Sequence, residues 1–495
     1  MEMCGIAGIV GEADETLLRR MLDAMRHRGP DDQGIFVDDG VAIGQNRLSI
    51  IDVAGGHQPI LDESGRRCLV ANGEIYNYRE LADGLGKHVF RTRADSEVPL
   101  HLYEDIGPEV ASRLDGMFAL AVWDGSNLYL ARDPVGIKPL YYAIHDGSFY
   151  FASEAKALLA AGIAGIREFP NGHWYRTDRG FQEYAEWRTE RRPPGDLEAT
   201  ATELRRLLDR AVEKRLMSEV PLGTFCSGGL DSTLVTAIAA RHLPKFHTFS
   251  TGMEGAPDLE NALRASEYLG TIHHVRGFTA DEVLDRLPDV IWHLESFDAA
   301  LVRSAVPTYF VSELAREHVT VVLTGEGADE LYAGYEYLKG LSSAALPTEL
   351  ERITWALHRL NLQRTDRMTM AHSLEGRVPY LDWAHVGFAL GLPPEWKVHG
   401  PGRVEKWILR RAFEGHLPED ILWRGKLKFA EGTGSVDVVR MEAERLISDA
   451  DLERLREEAR PLELRTKEEA YCYRIFRERF PKQFAIDCLG RTEVY

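Results

Sequence analysis

Three short stretches of this 495-residue chain carry side chains that could do chemistry. Cys4 stands close to the amino terminus, and a thiol there could act as a nucleophile if a neighbouring group accepts its proton. The segment SGGLDS at 227–232 lies where a predicted strand passes into a predicted helix, and TGEGADE at 324–330 follows an apolar strand. The sequence therefore predicts a thiol centre and an anion-binding centre with acidic side chains.

The SGGLDS loop predicts phosphate binding. Glycines at a strand-to-helix turn let backbone N–H groups close on an anion, and the helix amino terminus adds partial positive charge. Ser227 and Ser232 can donate hydroxyl hydrogen bonds, and no lysine follows the glycines, so this is not a Walker loop. Asp231 would repel a polyphosphate unless a divalent cation bridged the two, so the loop implies Mg²⁺. An ordinary turn with a helix cap is the alternative interpretation.

The acidic segment TGEGADE contributes one further candidate. Asp329 and Glu330 stand at a predicted helix start, where acids commonly complement the helix dipole. Glu326 lies between two glycines, where a helix cap does not need it. We therefore predict Glu326 as an active-site acid or base.

Cys4 has two interpretations. An amino-terminal cysteine carries its own base, because an α-amino group with a pKa of about 8 is largely neutral near physiological pH. This arrangement requires Cys4 to be the first residue of the mature chain, so we expect Met1-Glu2-Met3 to be missing from it. Translation from Met3 or a cloning remnant is the preferred explanation of these residues, and propeptide cleavage is the second. The alternative is an ordinary buried thiol in an apolar strand.

Antiparallel strands are predicted around Cys4. Asp-Gly pairs between alternating apolar segments, at 39–40, 124–125 and 146–147, predict hairpins. Helical patterns occur at 15–27 and 153–162, and Gly162 could close the second helix. The first 190 residues are therefore expected to form an α+β layered domain.

The second half of the chain has a different pattern. The charged and proline-rich segment RTERRPPGD (188–196) is the best domain boundary. Beyond it a helix begins near Asp196, and strands then alternate with helices, which predicts an α/β fold with a parallel sheet. Ligands of such sheets bind at the carboxyl ends of the strands, where SGGLDS and TGEGADE stand.

Composition excludes several classes of protein. The formal net charge of −19 is opposite to that of a phosphate-backbone binder, so no nucleic-acid partner is expected. No apolar run of about 18 residues occurs and no secretory signal is visible, so no membrane association is expected. The five cysteines form no C-x-x-C pair, which favours a reducing, cytoplasmic setting over zinc or disulfide frameworks.

Two ordered series of motifs resemble one known family. The first series resembles a class II glutamine amidotransferase domain and consists of CGIAG (4–8), RHRGPDDQG (26–34), RLSIID (47–52), NGEIYNYREL (72–81), ADSEV (94–98), RLDGMFALAVWD (113–124), ARDPVGIKPLYY (131–142) and FPNGHWY (169–175). The second series resembles asparagine synthetase and consists of SGGLDS, PDLENALRASEYLGTIHH, LTGEGADELYAGY, EGRVPYLD and EKWILRRAFEGHLPEDILWRGKLKF. Its SGGLDS segment looks like the pyrophosphatase-type loop of adenylating enzymes. The chain is identified as a member of the glutamine-hydrolysing asparagine synthetases of the B type.

The resemblance implies two domains and a role for particular residues. Residues 4–190 would be an Ntn-hydrolase-type αββα glutaminase domain, and residues 196–495 an adenine-nucleotide-binding synthetase domain with a parallel sheet. In the first domain, Cys4 would attack the glutamine amide, and the oxyanion and substrate contacts would come from Asn72, Gly73, Arg47, Glu74 and Asp95. Arg47 would bind the substrate carboxylate, whereas Glu74 and Asp95 would bind its ammonium.

In the second domain, the resemblance implies an ATP site with Mg²⁺-pyrophosphate at its loop. Its residues would be Phe225, Ser227, Gly228, Gly229, Asp231, Ser232, Thr251, Thr324 and Gly325. Glu326 matches the acid of the acyl-adenylate step, and Lys426, with Lys428 as its rival, would offset phosphate charge. Phe225-Cys226 replaces the aliphatic pair usual in the family, which leaves the adenine contacts open.

The implied reaction joins aspartate to ammonia from glutamine. ATP would activate aspartate as β-aspartyl-AMP with release of pyrophosphate, and ammonia would displace AMP to give asparagine. Three alternatives stay open: a related amidotransferase or ligase that adenylates another carboxylate, an ammonia-dependent synthetase if residues 1–3 persist, and a non-catalytic paralogue. The family implies a cytoplasmic homodimer.

Overall fold

The computed structural model describes residues 4–186, 191, 195–425, 432–434 and 436–492. The first half contains the strands β1 (Gly5–Val10), β2 (Asp32–Asp38), β3 (Val41–Arg47), β4 (Ile60–Leu61), β5 (Cys68–Ile75), β6 (Gly116–Trp123), β7 (Leu128–Arg132), β8 (Tyr141–His145), β9 (Ser148–Ala152), β10 (Arg167–Glu168), β11 (His173–Arg176) and β12 (Gly180–Glu183). Its helices are α1 (Glu15–Asp23), α2 (Tyr78–Asp83), α3 (Glu97–Ile106) and α4 (Ala155–Ala160).

These strands form two antiparallel sheets that pack face to face. Their strand orders are β10-β8-β9-β1-β3-β2 and β12-β11-β7-β6-β5-β4. Because side chains alternate along a strand, one face of each sheet meets the other sheet and the opposite face meets helices. The core between the sheets contains Ile6, Ile43, Val70, Ala121, Leu130 and Phe151. Helices α1 and α4 cover the first sheet and α3 covers the second, which confirms the predicted αββα architecture.

The three predicted hairpins are confirmed. The β2–β3 and β8–β9 turns are two residues long at 39–40 and 146–147, and the β6–β7 turn spans 124–127. Gly40 and Gly147 have φ values of +71° and +82°, which a side chain disfavours. Gly162 follows α4 with φ +80°, as predicted for a helix closed by glycine.

The second half is built on a five-stranded parallel sheet. Its strands are β13 (Leu222–Phe225), β14 (His247–Gly252), β15 (Ile272–Gly277), β16 (Val321–Leu323) and β17 (Glu375–Arg377), in the order β15-β14-β13-β16-β17. A separate short hairpin contains β18 (Val398–His399) and β19 (Val404–Glu405). The parallel α/β fold predicted for this half is therefore confirmed.

Helices surround this sheet and extend beyond it. They are α5 (Leu197–Lys214), α6 (Leu230–His242), α7 (Pro257–Leu269), α8 (Ala280–Leu294), α9 (Ala299–Arg316), α10 (Ala328–Tyr332), α11 (Leu346–Trp355), α12 (Asn361–Met370), α13 (Trp383–Leu390), α14 (Pro394–Lys397), α15 (Trp407–Ala412), α16 (Glu419–Leu422), α17 (Val436–Leu446), α18 (Asp449–Ala459), α19 (Lys467–Arg477) and α20 (Lys482–Cys488). Asp196 caps α5 by accepting from the Glu198 and Ala199 N–H groups, where the sequence predicts a helix start.

Two further expectations from the sequence concern the domain boundary and the membrane. Most of the predicted boundary segment 188–196 lies outside the described residues, so its role as a linker stays a prediction. Among the described residues, no helix combines the length and apolar character needed to cross a membrane.

Candidate active sites

The backbone of Cys4 is held by an asparagine from the second sheet. Cys4 directly precedes β1, and its N–H donates to Asn72 Oδ1 on β5 over 3.1 Å. This bond fixes the Asn72 amide so that Nδ2 points elsewhere, and that buried Nδ2 has no hydrogen-bond partner within the described chain. A buried N–H donor beside a thiol is suited to stabilise an oxyanion that develops during attack on a carbonyl.

Gly73 follows Asn72 and cannot be another residue without moving a strand. Its φ is +133°, and a Cβ at this position would lie 1.8 Å from the carbonyl oxygen of Met117 on β6. Any side chain would therefore push β5 away from β6 next to Cys4.

Arg47 lies beside Cys4 because of the strand register. The last pair of β1 with β3 joins Gly5 to Asn46, so Cys4 and Arg47 are the next residues along the two strands. The buried guanidinium of Arg47 donates to the carbonyl oxygens of Asp52 at 2.8 Å and Val53 at 3.2 Å. These bonds hold a planar cation next to the thiol, where it could bind a carboxylate.

The two predicted ammonium ligands face different surroundings. Asp95 is buried and its Oδ2 accepts from the Ile75 N–H on β5 at 2.7 Å, which places it beside the Cys4 centre. The carboxylate of Glu74 instead lies 3.2 Å from Arg377 Nη2 on β17 in the second half. Burial raises the pKa of Glu74 to about 8. Arg377 lowers this pKa, but the same arginine also pairs with Glu375, whose negative charge raises the pKa of Glu74.

A cavity of about 1170 Å³ opens at the carboxyl ends of β13, β14 and β16. Among the predicted residues, it is lined by Phe225, Ser227, Gly229, Asp231, Ser232, Thr251, Thr324, Gly325 and Glu326. Gly228 has φ +73°, and a Cβ there would lie 2.3 Å from the backbone of Asn261 on α7, so the loop packs against that helix. Lys426 and Lys428 lie outside the described residues, and their roles stay predictions.

The SGGLDS loop is pre-formed at the start of α6. Ser227 Oγ and Ser232 Oγ are 3.1 Å apart, and the Gly229 N–H points toward Ser227 Oγ at 3.4 Å. Arg424 donates to the carbonyl oxygen of Gly228 at 3.1 Å, which brings a cation to the loop. Two hydroxyls, a helix amino terminus and an arginine together favour a polyphosphate here.

Two carboxylates converge on one ammonium group in this cavity. Lys406 forms an ion pair with Asp231, and its Nζ is 2.5 Å from Asp329 Oδ1. Burial opposes the charge of Lys406, but the two aspartates raise its pKa above the usual range. A cation therefore already fits between these oxygens, and carboxylate oxygens are the ligands that Mg²⁺ prefers.

Acidic residues cluster beside the loop, after the carboxyl end of β16. Glu326 pairs with Arg364 on α12. Glu330 on α10 accepts from the Tyr335 hydroxyl at 2.5 Å and from Asn361 Nδ2 at 3.2 Å. Burial and the neighbouring Asp329 raise the pKa of Glu330 to about 7, so this group can gain or lose a proton near neutral pH.

Helix α12 connects the two centres. Arg28 donates from Nε to the carbonyl oxygen of Cys4 at 3.1 Å, and its Nη1 and Nη2 contact both oxygens of Asp366 at 2.7 and 3.0 Å. Asp366 lies two residues after Arg364 on α12, and Arg364 pairs with Glu326 in the cavity. The helix α12 thus carries one ion pair toward the thiol centre and another toward the nucleotide cavity.

Sequence reasoning missed several of these residues. The sequence pattern explains Asp329 and Glu330 as complements of the helix dipole, whereas both residues line the cavity together with Glu326. Lys406 stands in the motif EKWILRRAF and Arg28 in RHRGPDDQG, so the motif context was the available signal. Arg364 and Asp366 lie outside the motifs of the resemblance, and only the tertiary structure brings them to the centres.

A thiol centre in an antiparallel sandwich, followed by a pyrophosphate-type loop on a parallel sheet, defines an amidotransferase joined to an ATP-dependent synthetase. The chain matches the glutamine amidotransferase domain at residues 3–168 and the asparagine synthase family at residues 203–349 and 342–483. The chain therefore belongs to the family of glutamine-hydrolysing asparagine synthetases.

Curated relatives agree with this membership over nearly their full length. Asparagine synthetase B [glutamine-hydrolyzing] of Escherichia coli is 38% identical, over 98% of this chain and 93% of its own. Asparagine synthetase [glutamine-hydrolyzing] 1 of Arabidopsis thaliana is 37% identical, over 97% and 86%. A probable asparagine synthetase [glutamine-hydrolyzing] of Schizosaccharomyces pombe is 39% identical, over 98% and 94%.

Proposed function

We propose that this protein makes asparagine from aspartate and ATP, with glutamine as the source of ammonia. The observation that carries the proposal is that α12 contacts both centres: Asp366 pairs with Arg28, which donates to the Cys4 carbonyl oxygen, and Arg364 pairs with Glu326. Such contacts hold the two centres in a fixed relative position, as transfer of ammonia from one to the other requires. We assign residues 4–190 to the glutaminase domain and 196–495 to the synthetase domain.

In the glutaminase domain, Cys4 is the proposed nucleophile. With Cys4 as the first residue, its α-amine takes the thiol proton, and the thiolate attacks the amide carbon of glutamine. The Nδ2 group of Asn72 and the backbone of Gly73 stabilise the oxyanion. Arg47 is proposed to bind the glutamine carboxylate and Asp95 its ammonium, with Glu74, whose carboxylate lies 3.2 Å from Arg377, as the second predicted ammonium ligand. Ammonia leaves, and water then releases glutamate from the thioester.

In the synthetase domain, the loop residues Ser227–Ser232 bind the pyrophosphate part of ATP. Asp231 and Asp329 are the proposed ligands of Mg²⁺, which when bound neutralises charge on the phosphates. When no Mg²⁺ is bound, Lys406 keeps the two carboxylates in place. The aspartate carboxylate attacks the α-phosphorus, pyrophosphate leaves, and the resulting acyl-adenylate is the electrophile that ammonia attacks.

Glu326 and Glu330 are the proposed proton acceptors in the second step. The nitrogen that attacks the acyl-adenylate must lose a proton before AMP leaves. Glu326 lines the cavity, and Glu330 has a pKa near neutrality in the same wall. Phe225, Thr251, Thr324 and Gly325 line the remainder and are proposed to contact the nucleotide.

The remaining assignments rest on the family resemblance. Lys426 is the proposed late lysine that offsets phosphate charge, and a homodimer located in the cytoplasm is the proposed state of the protein. Mixed-substrate assays test the central proposal: each carboxylate amino acid is supplied with ATP and glutamine, and the products are identified by mass spectrometry. Formation of asparagine, AMP and pyrophosphate from aspartate supports it, whereas an amide formed only from another carboxylate contradicts it.

A further inference from the structure

A group of ligating side chains lies outside both centres, at the outer helix layer of the first half. Glu63 comes from the turn between β4 and β5, His88 from the segment between α2 and α3, and His101 and Glu104 from α3. Their ligating nitrogen and oxygen atoms all lie within 4.8 Å of one another. Three separate parts of the chain thus bring two imidazoles and two carboxylates to one point.

The distances within this group match the edges of a tetrahedral metal site. His101 Nδ1 is 2.8 Å from Glu104 Oε2 and 3.9 Å from Glu63 Oε2, whereas His88 Nδ1 is 3.3 Å from Glu63 Oε1 and 3.5 Å from Glu104 Oε2. Zinc bonds of about 2.0–2.1 Å in tetrahedral geometry put neighbouring ligand atoms roughly 3.4 Å apart. The four measured distances bracket that value.

The outer nitrogens of both histidines are also arranged as in metal sites. His88 Nε2 lies 3.0 Å from Asp105 Oδ1, and His101 Nε2 lies 3.3 Å from Glu97 Oε1. A carboxylate on the outer nitrogen orients the imidazole as in metal sites, and a metal would displace the Nδ1 protons that His101 and His88 share with Glu104 and Glu63. Both Nδ1 atoms face the shared point between Glu63 and Glu104.

Charge balance at this group favours a divalent cation. Apart from the two histidines, Lys87 and Arg67 are the only basic side chains of the described residues in ion-pair range of Glu63, Glu97, Glu104 and Asp105, and Arg67 is shared with Asp62. Burial lowers the pKa of His101, but hydrogen bonds to Glu97 and Glu104 outweigh it and raise the pKa. Protonated histidines are therefore the competing way to balance these acids.

We propose that Glu63, His88, His101 and Glu104 form a binding site for a divalent transition-metal ion of the zinc type. Nitrogen and oxygen ligands in a tetrahedral array are typical of zinc. The ion would join the β4–β5 turn and the segment before α3 to α3 itself. The site is independent of the proposed reaction, because none of its residues belongs to the two centres.

A second group, His247, His274 and His318, serves as an internal control. Its rings are stacked, with centroids 3.8 to 5.6 Å apart and interplanar angles of 14° to 25°. This group contains no carboxylate ligand, and His247 Nδ1 lies 2.8 Å from His274 Nε2, so a hydrogen bond already joins two of its nitrogens. We expect this group to contribute no tight site.

The test is zinc binding by the full chain after treatment with a chelator. Zinc is added by dialysis in excess Mg²⁺, bound metal is counted by mass spectrometry, and affinity is measured by competition with a chromophoric chelator. Cobalt in place of zinc gives the intense visible absorption of a tetrahedral site. The variants are Glu63→Gln and His88→Gln, whose side chains are 36% and 10% exposed and whose loss leaves α3 intact.

We expect one tightly bound zinc per chain, a tetrahedral cobalt spectrum, and affinity lowered by more than about 100-fold in both variants, because loss of an outer partner alone costs roughly 10–100-fold. The His274→Gln variant should bind zinc as the unchanged chain does. The proposal is overturned if no stoichiometric zinc binds, if Glu63→Gln and His88→Gln retain full affinity, or if His274→Gln abolishes binding. Equal unfolding midpoints in chelator establish that the variants are folded.

Discussion

Arg377 on β17 and Glu74 on β5 form a buried ion pair, 3.2 Å apart, that joins the parallel sheet to the antiparallel sandwich. The carbonyl oxygen of Arg377 accepts from the Thr324 N–H at 2.9 Å in the nucleotide cavity, whereas Glu74 follows Asn72 and Gly73 of the thiol centre. Arg377 also donates to the carbonyl oxygens of Arg215 and Met217, both at 2.6 Å. One arginine therefore contacts the surroundings of both centres.

We predict that Arg377→Met lowers the free energy of unfolding at pH 9 by about 3–5 kcal/mol, because at that pH it leaves the ionised and buried Glu74 and Glu375 without their cation. Adding Glu74→Gln to this variant should recover part of the loss. Urea unfolding of the single and double variants measures both effects. As a control, Arg454→Met removes two exposed ion pairs, to Asp451 and Glu458, and should change stability by less than about 0.5 kcal/mol. An Arg377→Met loss no larger than that of the control would contradict the structural role.

We predict that Asn72→Ala lowers glutamine hydrolysis by about 10²- to 10³-fold, because the oxyanion loses a pre-oriented donor. Asparagine formation from ammonium should be unchanged, since the nucleotide cavity is intact. Rates of glutamate and asparagine formation are measured separately. Asn127→Ala, in the exposed β6–β7 turn, is the matched control and should keep both activities. Equal loss of both activities in Asn72→Ala would indicate damage to the fold instead.

Much of the fold could be predicted from the sequence, because its signals are local. Asp-Gly turns between apolar strands fix the hairpins, and an alternation of strands and helices fixes the parallel sheet. β17 could not be predicted in this way. Its three residues, Glu375–Arg377, include two charged side chains, and only pairing with β16 and the buried ion pairs make it a strand.

The candidate sites divide along the same line. Cys4, Asn72 and the SGGLDS loop lie in motifs that predict their positions. The structure places Cys4 beside the pre-oriented amide of Asn72 and the loop at a strand-to-helix turn. Lys406 is different, because it comes from another part of the chain and reaches Asp231 only through the tertiary fold. Charged side chains that satisfy partners distant in sequence leave no periodic pattern.

We predict that Asp231→Asn abolishes release of pyrophosphate from ATP in the presence of aspartate, because the polyphosphate then lacks its metal-binding carboxylate. Glutamine hydrolysis should persist, since Asp231 lies in the other domain. A coupled pyrophosphate assay and glutamate release measure the two activities. Asp209→Asn, on the outside of α5, is a control that should keep both. Full asparagine synthesis by Asp231→Asn would remove this carboxylate from the mechanism.

We predict that Glu330→Gln stabilises the protein at pH 8 more than at pH 5. Folding raises the pKa of Glu330 from 4.5 to about 7, so between these values the folded chain holds a proton that the unfolded chain has lost. Stability therefore falls as pH rises through this window, by about 3 kcal/mol in total. Glutamine cannot ionise and avoids the loss.

Denaturant unfolding of the unchanged chain and Glu330→Gln at pH 5 and pH 8 checks this prediction. The exposed Glu336→Gln variant is the control and should shift stability equally at both pH values. If the difference between Glu330→Gln and the unchanged chain is the same at pH 5 and pH 8, Glu330 does not titrate in this range.

Transfer of labelled nitrogen tests the central claim most directly. A chain beginning at Cys4 receives aspartate, ATP and amide-¹⁵N glutamine together with unlabelled ammonium, and asparagine is analysed by mass spectrometry. We predict mostly ¹⁵N-asparagine from this chain and only unlabelled asparagine from Cys4→Ala, which keeps its synthetase activity. Two results would contradict glutamine-dependent synthesis through Cys4. One is ¹⁵N in the asparagine made by Cys4→Ala, and the other is asparagine without ¹⁵N from the unsubstituted chain that begins at Cys4.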